Sequence, residues 1–294
     1  MTIFGVPLGV MTGQLLLGVI NGAFYAMLSL GLSVIFGLLG IVNFAHGAFY
    51  MMGAFAAWMG LQYLGLSYWA ALVVAPMLVG IVGVIAERTI ISRVSDDDPI
   101  YGLLVTFGLA LIVQSVFRYY FGSAGLPYQI PSQLSGGHNL GFMFLPNYRA
   151  WVVLVSLALC FSSWLIIERT KLGAYLRAAT ENPVLVGAFG VDVPRMITLT
   201  YGAGVALAGL AGVLAAPIYS VNPLMGTDLL IVVFAIVVIG GMGSILGSIL
   251  TGFALGVVEG IVKVFYPEAS TIVIFIIMIL TLMVKPTGLF GRAA

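Results

Sequence analysis

The chain has 294 residues, of which 62% are hydrophobic and 7% are charged. A soluble domain carries roughly 25% charged residues because its surface must meet water, so this composition excludes an ordinary soluble protein. The net charge of +1 gives no indication of a nucleic-acid partner. A lone cysteine, Cys160, excludes an intramolecular disulfide, and no cluster of cysteine or histidine indicates a metal site.

Apolar runs of about 20 residues recur along the chain, and each is long enough to cross a hydrocarbon core of about 30 Å. The runs are continuous rather than alternating with polar residues, which favours membrane helices over a barrel. We therefore predict an all-α, polytopic transmembrane protein with about eight to ten spans, in a single domain over residues 1–294. The predicted spans are 13–37, 44–64, 68–86, 100–120, 150–167, 196–217, 229–247, 249–265 and 270–285.

Basic residues in short loops mark the cytoplasmic side of a membrane protein. With nine spans, three basic segments fall on one side, which predicts an external N-terminus and a cytoplasmic C-terminus. The segment 121–149, which we call the outer loop, then lies outside, and Pro127, Pro131 and Pro146 argue against one regular helix there. The basic residues of the three segments are Arg88, Arg93, Arg169, Lys171, Arg177, Arg195, Lys285 and Arg292.

A polar block, IVNFAHGA (41–48), separates the first two apolar runs. It brings an amide, Asn43, and an imidazole, His46, three residues apart and places Gly47 directly after them. Unpaired amides are costly in lipid, so each polar group needs a partner. Two interpretations follow: the two side chains cap and order a helix start, or they form a polar hinge beside a solute path.

The segment 168–195 is the longest predicted cytoplasmic segment. Leu172, Tyr175, Leu176 and Ala179 fall at helical spacing and predict a short amphipathic helix. Pro183 predicts the start of a second short helix, with Thr180 or Asn182 as its N-cap. A simple channel has no evident need of such a compact element, whereas a permease driven by a separate ATPase does, so we call this segment the coupling loop.

Glycines are spaced for close helix packing at two places. Gly252, Gly256 and Gly260 recur every four residues and line one helix face, and Gly18 and Gly22 repeat the pattern near the start of the chain. The cluster Gly240-Gly241-Met242-Gly243-Ser244 differs, because three glycines in four positions weaken a helix by about 1 kcal/mol each. It predicts a break at the membrane edge, which is either a plain turn or part of an interrupted helix that lines a solute path.

Charged residues are scarce inside the predicted spans, where only Arg118, Glu259 and Lys263 come near the interior. Glu259 and Lys263 are four residues apart, so they lie on one helical face. This spacing favours a structural ion pair over a site for a coupling ion.

The chain has no GxxxxGK[ST] motif, so any nucleotide hydrolysis must come from a partner. The two histidines, His46 and His138, lie on different predicted segments and do not assemble with serine, cysteine or aspartate into a catalytic arrangement. The sequence therefore predicts a transport subunit rather than a membrane enzyme, and no cofactor in this chain.

Three blocks resemble the LivH-type permeases of branched-chain amino-acid ABC importers. They are LSLGLSVIFGLLGIVNFAHGAFYMMGAF (28–55), LRAATENPVLVGAFGVDVPR (176–195) and VVIGGMGSILGSILTG (237–252). The resemblance implies import of a small solute, most simply a branched-chain amino acid, through the cytoplasmic membrane of a bacterium. Permeases of similar sequence are assigned to urea, short amides or aromatic acids, so import of one of these solutes is an alternative. A second alternative, from another class of transport protein, is a channel or carrier that needs no ATPase.

The resemblance also implies partners and roles. The partners are a second, LivM-like permease subunit, two cytoplasmic ATPase subunits that bind ATP and Mg²⁺, an extracytoplasmic solute-binding protein and the lipid bilayer. The implied ATPase-coupling residues are Arg177, Ala178, Ala179, Glu181, Asn182, Pro183 and Gly187. The residues expected along the translocation path are Asn43, His46, Gly47, Gly240, Gly241 and Gly243.

Overall fold

The computed structural model describes residues 2–3, 6–40, 43–94 and 99–291, and these residues are predominantly helical. Arg292, one of the basic residues used to predict orientation, lies outside them. The α-helices are α1 Leu8–Leu39, α2 His46–Leu64, α3 Tyr68–Ala86, α4 Pro99–Phe121, α5 Asn147–Arg169, α6 Lys171–Glu181, α7 Pro183–Ala188, α8 Val193–Ala215, α9 Met225–Gly240, α10 Ile245–Phe265 and α11 Ile272–Val284. The all-α prediction is confirmed.

Extended pairing in the described chain consists of two short antiparallel strand pairs and an isolated bridge between Leu126 and Val221. Strand β1, Thr2–Ile3, pairs with β2, Val6–Pro7, and in the outer loop β3, Gly137–Asn139, pairs with β4, Phe144–Pro146. A 3-10 turn over Ser132–Leu134 precedes β3, so the prediction that the outer loop forms no single regular helix is confirmed. Near the start of this loop, burial raises the pKa of Tyr128 to about 12, so its phenol stays protonated at neutral pH.

Each of the nine predicted spans contains a helix. Among the described residues, six helices are long and apolar enough to cross a membrane: α1, α3 with the π-helical turn that continues it, α4, α5, α8 and α10. The apolar helices α9 and α11 are shorter, and α2 accounts for the remaining predicted span. A polytopic helical membrane protein is therefore confirmed, while its orientation stays a prediction.

The predicted break after α9 is also confirmed, and it shortens the seventh predicted span. That span, 229–247, ends too late, because α9 ends at Gly240 and α10 begins at Ile245. Gly241 and Gly243 have φ values of 101° and 81°, which residues with a Cβ rarely adopt. Ser244 then caps α10, since its Oγ accepts a hydrogen bond from the Gly247 amide at 3.2 Å.

The chain divides into two compact units, and the first comprises residues 1–29, 129–160 and 232–294. Its helices α1 and α10 meet through glycine: a Cβ on Gly18 would lie 2.5 Å from the Gly256 carbonyl oxygen, and one on Gly260 would lie 2.5 Å from that of Gln14. Only glycine permits such an approach, so the predicted packing role of both glycine series is confirmed. The predicted single permease domain stays a prediction.

The predicted ion pair of α10 lies in the same unit. Lys263 Nζ is 2.6 Å from Glu259 Oε1, and Tyr25 of α1 donates a hydrogen bond of 2.7 Å to Glu259 Oε2. Both carboxylate oxygens of this buried side chain therefore have partners. The arrangement satisfies the charge inside the helix packing, as the spacing predicted.

The second unit comprises residues 30–128 and 161–231, and α2, α3 and α8 pack against one another in it. The contacts again depend on small residues: Gly53 lies against Gly209, and a Cβ on Gly80 would lie 3.2 Å from the Gly202 carbonyl oxygen. These contacts bring the three helices close enough to bury polar side chains between them.

We expect Gly256→Ala to destabilise the protein by about 1–3 kcal/mol, because the added methyl meets the backbone of α1 with no room to move. Gly108→Ala in α4 is the matched control, since a Cβ there has nothing within 4 Å and alanine favours a helix. Thermal unfolding of the purified protein in detergent measures the difference. Equal midpoints for the two variants would contradict the packing role.

Candidate functional site

Asn43 orders the start of α2. The residue is 2% exposed, and its Oδ1 accepts a hydrogen bond of 3.0 Å from the Ala45 amide. Its backbone carbonyl accepts another, of 3.2 Å, from the amide of His46, the first residue of α2. These bonds satisfy amides that a helix start leaves without intrahelical partners. Asn43 therefore orders the turn before α2, whose N-cap is Ala45 and has no side-chain cap bond, and its place on the translocation path stays a prediction.

The other end of the Asn43 amide reaches α8. Asn43 Nδ2 donates a hydrogen bond of 2.9 Å to the hydroxyl of Tyr201, and both side chains are buried. Tyr201 lies one residue before Gly202, at the close contact of α8 with α3. The start of α2 is thus fixed to a helix that lies far from it in sequence.

Glu87 belongs to the same polar cluster, and the sequence did not indicate it. It is 3% exposed, it lies near the Tyr201 side chain, and its Oε2 has no hydrogen-bond partner in the described part of the chain. It begins a π-helical turn, Glu87–Ile91, and such turns often occur at functional sites. The predicted span 68–86 ends just before Glu87, so the sequence placed this residue in the basic loop that holds Arg88 and Arg93.

His46 is buried, and its place on the translocation path stays a prediction. Its ring lies against Gly31 of α1, where a Cβ would come within 3.0 Å of Cε1. The next residue, Gly47, contacts the first turn of α9, since a Cβ there would lie 2.5 Å from the Gly226 carbonyl oxygen. Both residues therefore fix the first turn of α2 against other helices of the second unit.

A cavity of about 50 Å³ lies beside this first turn. The rings of Phe44 and Phe107 meet edge to face on its wall, with centroids 6.0 Å apart. Gln114 Nε2 donates a hydrogen bond of 3.3 Å to Thr227 Oγ1, and these are polar side chains on an otherwise apolar lining. Gly47 also lines the cavity, so one predicted path residue borders an open space.

Gly240, Gly241 and Gly243 belong to the first unit and form the tight turn before α10. Phe290 donates a backbone hydrogen bond of 3.1 Å to the Gly240 carbonyl, and a Cβ on Gly288 would lie 2.5 Å from Gly241 Cα. The segment after α11 therefore covers the turn, which no local sequence signal indicated. The role of these glycines on the translocation path stays a prediction.

The coupling loop contains the two predicted short helices, α6 and α7. Asn182 is the N-cap of α7, because its Oδ1 accepts a hydrogen bond of 2.9 Å from the Leu185 amide. Thr180, the other candidate cap, instead donates to the Arg177 carbonyl at 2.7 Å. Ala179 of α6, Val186 of α7 and Val193 of α8 form a small apolar core that joins the three helices.

The predicted coupling residues divide into two groups. Ala179 lies in that core, Asn182 caps α7, and Arg177 holds the end of α5 through the Ile167 carbonyl at 3.2 Å and Glu168 at 3.4 Å. The others are exposed: Ala178, Glu181, Pro183 and Gly187.

Large apolar side chains also protrude from this element. Val184 is 82% exposed and Phe189 is 81% exposed, with Leu185 between them in sequence and also exposed. A cluster of exposed apolar side chains on a rigid element is typical of a protein-contact surface.

A family model described as "Branched-chain amino acid transport system / permease component" matches residues 14–282. The chain belongs to this permease family. It is 30% identical over 292 residues, 95% of each chain, to the high-affinity branched-chain amino acid transport system permease protein LivH of Escherichia coli (strain K12). It is equally similar, with the same coverage, to the corresponding protein BraD of Pseudomonas aeruginosa.

The chain is also 30% identical over 291 residues to the high-affinity branched-chain amino acid transport system permease protein LivM of Escherichia coli (strain K12), and the match covers 90% of this chain and 67% of LivM. The resemblance inferred from three sequence blocks is confirmed, because all three blocks lie within the matched residues. Family membership and the six apolar helices make the chain a multi-pass membrane permease.

We expect Tyr201→Phe to destabilise this permease by about 1–3 kcal/mol, because it leaves the buried Asn43 amide without its acceptor. Tyr119→Phe, at an exposed tyrosine, is the control and should leave stability unchanged. Thermal unfolding of both variants in detergent measures the effect. A Tyr201→Phe protein as stable as wild type would show that the bond does not hold the start of α2.

Proposed function

We propose that this chain is the membrane-spanning permease subunit of an ATP-driven ABC importer that moves branched-chain amino acids into a bacterial cell. The family match over residues 14–282 carries the proposal. The exposed apolar surface of the coupling loop supports it, because a permease without its own P-loop needs a contact with separate ATPase subunits. ATP and Mg²⁺ belong to those subunits, and this chain performs no hydrolysis itself.

The proposed complex places this chain beside a second permease subunit. Its similarity to both LivH and LivM supports a pair of related permeases, since the two relatives are named as permeases of the same kind of system. Two ATPase subunits then bind on the cytoplasmic side and a solute-binding protein docks outside, in the cytoplasmic membrane. The distribution of basic residues supports the corresponding orientation of the coupling loop.

A continuous set of contacts connects the coupling loop with the start of α2. Val186 of α7 packs in one core with Val193, the first residue of α8. Two turns further along α8, Tyr201 hydrogen-bonds Asn43. A displacement of α7 by an ATPase would therefore act on α8 and, through it, on the residues beside the cavity. Rigid-body shifts of packed helices are a common way of transmitting such a displacement.

We expect Val184→Asp and Phe189→Asp to reduce the binding of ATPase subunits and ATP-driven uptake at least tenfold, because each places a charge on a proposed apolar contact. Both side chains are exposed, so the permease itself should keep its thermal stability. Leu140→Asp, at an exposed leucine of the outer loop, is the matched control for ATPase binding. Copurification of the ATPase subunits and uptake by proteoliposomes measure the effects.

Two outcomes would overturn the proposal. One is normal ATPase binding and uptake by the Val184→Asp and Phe189→Asp variants. The other is solute uptake by this chain alone in liposomes that contain no ATPase, which would indicate a channel or carrier. Point variants are preferable to deletion of residues 180–187, because the deletion also removes Val186 from the core that joins α6, α7 and α8.

A further inference from the structure

The cavity beside the first turn of α2 is large enough for a small apolar group. Its volume is about 50 Å³, above the roughly 10–15 Å³ that a single water needs. Isobutyl and isopropyl groups are small groups of this kind, since each of their carbons is a methyl, methylene or methine.

The chemistry of the lining fits the same kind of group. Phe44, Phe107 and Leu230 supply apolar surface, and Ala110 leaves room by its small side chain. Such a lining favours a hydrocarbon over urea or a short amide, whose polar atoms would lose hydrogen bonds to water without replacement.

Polar groups also line this apolar space. Gln114 lies within the apolar span α4 and hydrogen-bonds Thr227. A side-chain amide carries two N–H donors and a carbonyl acceptor, so Gln114 has the capacity for more than its bond to Thr227. Polar residues within membrane spans commonly mark solute pathways, because lipid does not satisfy them. The charged amino and carboxylate groups of an amino acid can form hydrogen bonds with such polar side chains.

We propose that this cavity is a solute subsite in which the permease itself contacts the aliphatic side chain of the amino acid and limits its length. The inference rests on the proposed function, and it adds that selection is not left to the solute-binding protein alone. Phe44 and Phe107 form the wall of the subsite, Ala110 sets its depth, and Gln114 with Thr227 faces the polar end of the solute.

The test compares leucine with valine in the complete importer, reconstituted with its solute-binding protein loaded with one amino acid or the other. Ala110→Val fills part of the cavity, and one methylene is worth roughly tenfold or more in an apolar pocket. We expect the ratio of leucine to valine uptake to fall about tenfold. Ala158→Val, at an exposed alanine of α5, is the matched control and should keep the wild-type ratio.

A second variant should shift the ratio of leucine to valine uptake in the opposite direction. It thereby distinguishes a change in selectivity from misfolding. Phe107→Ala enlarges the cavity and should raise the leucine-to-valine ratio, whereas Phe161→Ala, at an exposed phenylalanine of α5, should not. Opposite shifts by the filling and enlarging variants support the subsite, because damage to folding lowers uptake of both solutes together. An unchanged ratio in Ala110→Val, or in Phe107→Ala if the former does not assemble, overturns the subsite while the importer function stands. Absence of ATP-driven uptake by the wild-type complex overturns the importer function itself.

Discussion

Backbone-to-backbone contact through glycine is the constraint on which both units depend. Helices in lipid gain little from burying apolar side chains, so close van der Waals packing must hold them together. In the first unit Gly18 and Gly256 provide that contact between α1 and α10, and in the second Gly53 and Gly209 provide it between α2 and α8. At these short distances buried polar groups, such as Tyr25 and Glu259, form hydrogen bonds between the helices. Hydrogen bonds are directional, whereas van der Waals packing is not, so these bonds fix the relative orientation of the helices.

The coupling loop and the cavity are parts of one unit, and α8 connects them. Its first residue lies in the small core of the coupling loop, and its middle bonds the residue that orders α2. The same helix therefore contacts the coupling loop at one end and the residue beside the small cavity further along. In the proposed importer, this connection would let a displacement of the coupling loop act on the cavity.

Local patterns predicted most of the helices but not the contacts between distant ones. Asn182 and Pro183 predicted the start of α7, since capping depends on residues only a few positions apart. The same logic predicted the Glu259–Lys263 pair and the break at Gly240. By contrast, the hydrogen bond between Asn43 and Tyr201 joins residues 158 positions apart in the sequence. Periodic patterns within a single helix cannot predict a contact between residues so far apart in sequence. Glu87 was missed for the same reason, because its burial depends on helices that are distant in sequence, α8 among them.

The burial of Cys160 makes this permease convenient for site-directed labelling. Its thiol lies inside the helix packing, out of reach of ordinary maleimide reagents, so the native cysteine need not be removed. Gly187 at the end of α7 has open space around it and accepts a new side chain without a clash. A cysteine introduced there would carry a fluorophore or spin label on the proposed ATPase-coupling element. Movement of α7 during transport is thus open to direct observation in an otherwise unaltered chain.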